Sequence, residues 1–218
     1  METKQGAEKE TGRIEAFSDG VFAIAITLLV LNISVPSAQE AHLSGLIASL
    51  IDRWPTFLAL IASFFFILVM WINHHRLFTA IRRSDTGLML LNGLLLFGVI
   101  LVPFWTALVA QFLQQPDETL AVMIYNGWFV IVSIFFNLLW RYAAHDNRLF
   151  SEQTDRQLVA AITRQYNFGP PLYMVTVLLA LLQPMLGIAT SFAMAVFFAI
   201  PSKAVQQLTA SENVEQNA

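Results

Sequence analysis

The run PTFLALIASFFFILVMWI, residues 55–72, passes eighteen positions without an Asp, Glu, Lys or Arg. A helix rises 1.5 Å per residue, so a stretch of roughly 20 apolar residues spans a hydrocarbon core of roughly 30 Å. This segment is nearly pure Phe, Leu and Ile, and it reads as a transmembrane helix. Comparable segments flank it. The first runs from Phe17 to Val35 and is ended by Pro36. The third spans Leu88–Phe112, with Pro103 predicting a kink, and the fourth spans Leu120–Trp140. A fifth has a clean apolar core only over Leu172–Leu182. After the turn at Gln183-Pro184, Met185–Ile200 forms a sixth. The expected fold class is all-α: a polytopic membrane protein with six transmembrane helices.

Composition agrees. Of 218 residues, 56% are hydrophobic and 12% charged, and Phe occurs 18 times. A soluble domain carries roughly 25% charged residues, so this chain has too little polar surface to coat a globule. It contains no Cys, which excludes disulfides and thiolate metal sites. Lys4, Lys9 and Arg13 are offset by Glu2, Glu8, Glu10 and Glu15, so the flank of the first segment is not that of a secretory signal. Residues 1–12 read as a disordered cytoplasmic terminus, 13–202 as the membrane domain, and 203–218 as a polar cytoplasmic tail.

The basic residues fix an expected orientation. With the N-terminus inside, eleven of the 12 Lys and Arg fall in cytoplasmic segments, and Arg53 alone falls outside. The positive-inside rule then gives an even number of crossings and both termini in the cytoplasm. In the first outer loop, Leu43, Leu46, Ile47, Leu50 and Ile51 recur at i, i+3, i+4, i+7 and i+8. That spacing predicts one face of a short helix, lying on the outer membrane surface or capping neighbouring subunits. Arg-Leu-Phe occurs at 76–78 and again at 148–150, too short a match to define a repeat.

No P-loop, dinucleotide fingerprint, HExxH or GxSxG is present, and nothing argues for an enzyme. His74 and His75 are adjacent, so on a helix they diverge by roughly 100° and cannot chelate one ion together. The segment RIEAFSDGVFAIAITLLVL, residues 13–31, is different. Asp19 stands at the entrance of an apolar run, where a carboxylate is costly and usually paired. Ser18 and Asp19 could equally be caps of a helix beginning there. Ile24, Thr27, Leu28 and Leu31 share a face, which can serve packing or line a pore. Thr27 taken alone is expected to back-bond to the Ala23 carbonyl.

Arg13-x-x-x-Phe17-Ser18-Asp19, followed by Gly20-Val-Phe-Ala-Ile-Ala-Ile-Thr-Leu-Leu-Val-Leu31, resembles the signature of the transmembrane protein 175 family. That family comprises lysosomal potassium channels of animals and their prokaryotic homologues. Trp71-Ile72-Asn73-His74-His75-Arg76-Leu77-Phe78, Asn92 and Val102-Pro103-Phe104 add to the resemblance, and the length fits a prokaryotic member with one six-helix unit. The resemblance implies a homotetramer in the cell membrane with the first helix of each subunit lining a central pore. Ile24 would then form the narrow apolar constriction, with Leu28 and Leu31 as further apolar layers. Thr27 would bear on cation preference. Arg13, Phe17, Ser18 and Asp19 would form a network holding the pore helix, with Trp71 and His75 as partners on the second helix. Potassium would be the permeant ion, with no cofactor, no resident metal and modest selectivity over sodium. Membrane lipids and further copies of the chain are the expected partners, and nucleic acid is not. A secondary transporter and a non-conducting scaffold are the competing readings.

Overall fold

The computed structural model describes residues 11–150 and 156–200. The expected disordered N-terminus, apart from its last two residues, and the whole polar tail lie outside them. The described residues are mostly helical, and among them no strand forms beyond an isolated antiparallel bridge between Ile81 and Phe150.

Helix α1 covers Gly12–Leu28 and tightens into a 3-10 turn over Leu29–Asn32. It therefore begins five residues before the expected Phe17, and it stops short of Val35 and Pro36. Two short helices follow, α2 (Ala38–Ser44) and α3 (Leu46–Ile51). Here the expectation of one short helix is corrected. Gly45, at φ 84°, occupies the left-handed region that a glycine adopts freely, and it breaks the periodic stretch in two. The capping box of Ser37 and Glu40 starts α2. Arg53 fastens the loop by donating to the Ser34 and Ser49 carbonyls and pairing with Glu40.

Helix α4 spans Trp54–Ala80 with Pro55 in its first turn, where a missing N–H costs nothing. Asp85 opens α5 (Thr86–Ile100) by accepting the Leu88 N–H at 2.8 Å. The third apolar segment breaks at Leu101 and resumes as α6 (Val102–Phe112). Pro103 explains the break, since its ring collides with the Val99 carbonyl one turn back. Helix α7 covers Glu118–Ala144. Helix α8 runs unbroken over Arg156–Leu182 through Pro170 and Pro171, well beyond the apolar core that defines it in the sequence. Helix α9 is Pro184–Ala199.

Among the described residues, four helical stretches are long and apolar enough to cross a membrane: Gly12–Asn32, Trp54–Ala80, Thr86–Phe112 and Glu118–Asn147. Helix α9, with 16 residues, is apolar but shorter. Helix α8 has the length, but Arg156, Gln157, Arg164, Gln165 and Asn167 make its first half polar.

The most extensive pairing is α7 with α8, and α8 in turn packs on α9. Gly187 permits that last contact: a Cβ there would lie 2.6 Å from the Ala180 Cβ. Helix α4 joins the two sides of the bundle, touching α1 and α6 on one flank and α9 on the other. Lipid is as apolar as Leu, so helix association in a bilayer relies on close packing and interhelical hydrogen bonds. Such bonds are present. The Thr106 hydroxyl donates to Ser63 Oγ at 2.6 Å, and Ser63 Oγ meets the Tyr125 hydroxyl at 2.8 Å. Asn126 donates to the Thr176 carbonyl and accepts from Ser191. Arg76 and Asn73 donate to the terminal carbonyls of α9, where a cation also suits the helix dipole.

Candidate functional site

Helix α1 lies at one edge of the bundle, against α4, α5 and α6. Its buried face is Ser18, Phe22, Ala25 and Leu29, spaced i, i+4, i+7 and i+11. Phe22 meets the His74 ring edge-on, with centroids 5.4 Å apart. The opposite face has no cover among the described residues. Ile24 is 59% exposed, Leu28 40% and Leu31 74%, and Thr27 is exposed between them. Ile26 turns away from this stripe and packs half-buried on the core. The Thr27 hydroxyl donates to the Ile24 carbonyl at 2.8 Å, rather than to Ala23 as expected. Its oxygen retains acceptor capacity.

The lower half of α1 is held by two sets of polar bonds. In the first, Trp71 Nε1 on α4 donates to Asp19 Oδ1 at 2.8 Å. The His75 ring stacks on the Trp71 indole at 6.3 Å between centroids. In the second, Asn92 Nδ2 on α5 donates to Ser18 Oγ at 3.0 Å, and Asn92 Oδ1 faces His74 Nε2 at 2.9 Å. The Ser18 hydroxyl passes its own proton to the Ile14 carbonyl. This second set is buried, and Phe78 stacks on the far side of His74 at 4.5 Å. The three spans α1, α4 and α5 are thus joined at one level. The capping alternative for Ser18 and Asp19 is excluded, because α1 begins at Gly12, nearly two turns earlier.

Among the residues expected at this site, Asp19 and Trp71 meet directly and His75 reaches them through Trp71, while Ser18 belongs to the separate set with Asn92 and His74. Phe17 is exposed, and Arg13 makes no hydrogen bond or ion pair among the described residues. His74 and Asn92 have contacts that the sequence reading did not assign. A signal existed for His74. It shares a helical face with Ile67, Met70, Leu77 and Phe78, all buried, whereas His75 follows the exposed phase of Trp71. A further tie, Asn32 Nδ2 to the Pro103 carbonyl at 2.9 Å, fixes the upper end of α1 at the break between α5 and α6. No grouping of His, Asp or Glu among the described residues could hold a metal ion.

The profile of the endosomal/lysosomal potassium channel TMEM175 family matches residues 13–103, the part of the chain that contains this site. A potassium channel of Chamaesiphon minutus is 49% identical over 90% of this chain and 97% of its own. One of Streptomyces collinus is 38% identical over 87% of this chain and 91% of its own. The crystal structure of a lysosomal potassium-selective channel TMEM175 homolog from Chamaesiphon minutus superposes with a TM-score of 0.81 at 48% identity, covering 88% of this chain and 97% of that one. Similarity over nearly the full length of both chains, together with the matched α1–α5 site, means that the chain belongs to the TMEM175 family.

Proposed function

We propose that the protein is a potassium-permeable cation channel of the cell membrane, built as a homotetramer with four copies of α1 around a central pore. The observation that carries this reading is the uncovered stripe of Ile24, Thr27, Leu28 and Leu31. The opposite face of the same helix is fully packed and hydrogen-bonded, so α1 has a fixed orientation and presents that stripe outward. A ring of four Ile24 side chains forms an apolar neck that resists wetting, with Leu28 and Leu31 as further apolar layers. The Thr27 hydroxyls supply oxygen ligands that partly replace an ion's water and favour potassium modestly over sodium. The printed names of the relatives, potassium channels of comparable length, support the same permeant ion.

In this reading α8 and α9 are the fifth and sixth crossings. The apolar half of α8 occupies most of the bilayer, and α9, about 24 Å long by its rise, needs a locally thinned membrane or help from its flanks. Both termini face the cytoplasm. Asp19, Ser18 and Trp71 serve to position the pore helix, with His75 behind Trp71. Arg13 and Phe17, exposed in the single chain, are assigned to contacts between subunits.

The test is a planar-bilayer recording of purified protein under opposed potassium and sodium gradients. The expected result is single-channel current with a reversal potential on the potassium side of zero. Slow, saturable, coupled flux would identify a transporter, and silence in assembled protein a scaffold.

A further inference from the structure

Helices α7 and α8 each change character along one exposed face. On α8, Phe168, Val175, Leu178 and Leu182 are all exposed and share a face, as the outward stripe of a lipid-contacting helix does. The same face continues toward the start of the helix as Asn167 and Arg164, also exposed. On α7, Ile134 and Leu138 are exposed, and the stripe then passes to Asn137 and Arg141. The two helices are antiparallel, and these polar ends meet. Arg141 Nη2 donates to Asn167 Oδ1 at 2.8 Å, and Asn137 Nδ2 donates to the same oxygen at 3.2 Å.

The depth is informative. Fifteen residues separate Asn167 from Leu182, a rise of about 22 Å, while the hydrocarbon core is roughly 30 Å thick. If α8 crosses the bilayer, Asn167 lies at or just inside the boundary on the arginine-rich side. Polar groups on an outward face at that depth need a polar partner. Among the described residues the chain supplies little: one neutral amide oxygen engages Arg141, and further guanidinium donors remain available. No Asp or Glu occurs on α8, and none on α7 after Glu118. Two arginines and two carboxamides without a carboxylate form a surface suited to a phosphate, which guanidinium groups bind through paired donors.

We propose that Arg141, Asn137, Asn167 and Arg164 bind the phosphate of an anionic phospholipid of the inner leaflet, with an acyl chain lying along Phe168, Val175 and Leu178. The site rests on the reading of α8 as a membrane crossing. It lies on the α7–α8 flank of the subunit, away from the helices that pack against α1. Basic pockets between membrane helices on the cytoplasmic side are a general way of holding such headgroups.

The test uses full-length protein exchanged into mixed micelles of phosphatidylglycerol and phosphatidylcholine, with retained lipid counted by native mass spectrometry. Wild type is expected to keep phosphatidylglycerol in preference to phosphatidylcholine. R141Q/R164Q is expected to lose that preference about thirtyfold, the scale of two arginine–phosphate attractions. R141K/R164K should keep most of it, and R82Q/R83Q, outside the cluster, all of it. Equal retention of both lipids by wild type, or an unchanged preference in R141Q/R164Q, overturns the proposal. Displacement of the lipid by millimolar inorganic phosphate also overturns it, since the site would then recognise the free anion. Because the chain has no Cys, L178C can be tested in the same preparation with a water-soluble maleimide. Rapid labelling would show that α8 does not cross the bilayer and would remove both readings. Protection without lipid preference removes only this one.

Discussion

The Trp71 indole nitrogen donates to Asp19 Oδ1 across 2.8 Å, a bond between α4 and α1 that fixes both the height and the rotation of α1. Helix α1 is otherwise apolar on nearly every side, and apolar packing alone would permit it to slide or roll. A directional bond to a carboxylate removes that freedom, and the buried Ser18–Asn92 bond removes it again from α5.

Asp19→Ala is expected to lower the yield and thermal stability of assembled protein. The partly exposed bond contributes about 1 kcal/mol, in line with interhelical bonds in membranes. Asp19→Asn keeps an acceptor oxygen and should lose less. The check is the midpoint of thermal unfolding in detergent, with potassium selectivity recorded in parallel. Normal assembly of Asp19→Ala with altered selectivity would make Asp19 a pore ligand instead.

Asn92→Leu should destabilise the protein more than Ser18→Ala. Replacing Asn92 strands both the Ser18 oxygen and His74 in a buried site, at a cost of about 1–3 kcal/mol per stranded group. Ser18→Ala leaves only one donor without its acceptor. Comparing the two midpoints, with the double variant to close the cycle, measures the coupling directly. A larger loss in Ser18→Ala would show that the three residues do not act as a chain.

Ile24→Asn should raise conductance or open probability by wetting the apolar neck. Ile26→Asn, on the half-buried side, should change current much less and stability more. Thr27→Ala should reduce the preference for potassium over sodium without widening the neck. Recorded side by side in one bilayer system, equal currents for Ile24→Asn and Ile26→Asn would mean that the exposed stripe does not line the pore.

Topology can be read with tags. Reporters at positions 5 and 210 are expected in the cytoplasm, and one at Gln115, between α6 and α7, outside. A reporter at Gln115 that stays cytoplasmic would remove the six-crossing arrangement and the orientation together.

Asp85 gives a pH-dependent prediction. Its carboxyl is held below the usual carboxylate range, first by the Leu88 N–H and then by the Tyr142 hydroxyl and the Arg148 charge. A lowered value in the folded state means that the contribution is complete above the ordinary carboxylate pKa of about 3.9 and is lost as pH falls through the folded value. At neutral pH, Asp85→Ala should therefore cost about 1 kcal/mol, the typical worth of a helix cap. The gap from wild type should close in strongly acidic buffer. Chemical unfolding at both pH values measures it, and a gap that widens on acidification would contradict this role.

Much of the architecture was legible in the residues themselves. Long uncharged runs such as 55–72 marked the four long apolar helices, because a bilayer demands about 20 apolar residues in succession. Pro103 marked the break between α5 and α6, because its nitrogen has no hydrogen to donate and its ring crowds the carbonyl one turn back. The string from Arg13 to Leu31 marked the family. Hydropathy could not extend α8 back to Arg156, since its polar first half is helical through packing on α7 and not through apolar length. Nor could periodicity anticipate that Gly45 would split the helix between α1 and α4 in two. At that position the φ of 84° is a property of the folded backbone, and the i, i+3, i+4 spacing persists in the sequence whether or not the helix does.

The orientation of α1 belongs to tertiary structure alone. Its sequence places Ile24, Thr27, Leu28 and Leu31 on one face but also Phe22, Ala25 and Leu29 on another, so the pattern by itself leaves open which of the two is buried. Burial of Phe22 instead of Ile24 is decided by what α4 and α5 present: His74 and Asn92 at the level of Ser18, and Trp71 at the level of Asp19. The choice between His74 and His75 follows the same rule. The two are chemically identical neighbours, and only the roughly 100° turn between them, set against the packing of α4 on α1 and α5, makes one a buried partner of Asn92 and the other a ring stacked on Trp71.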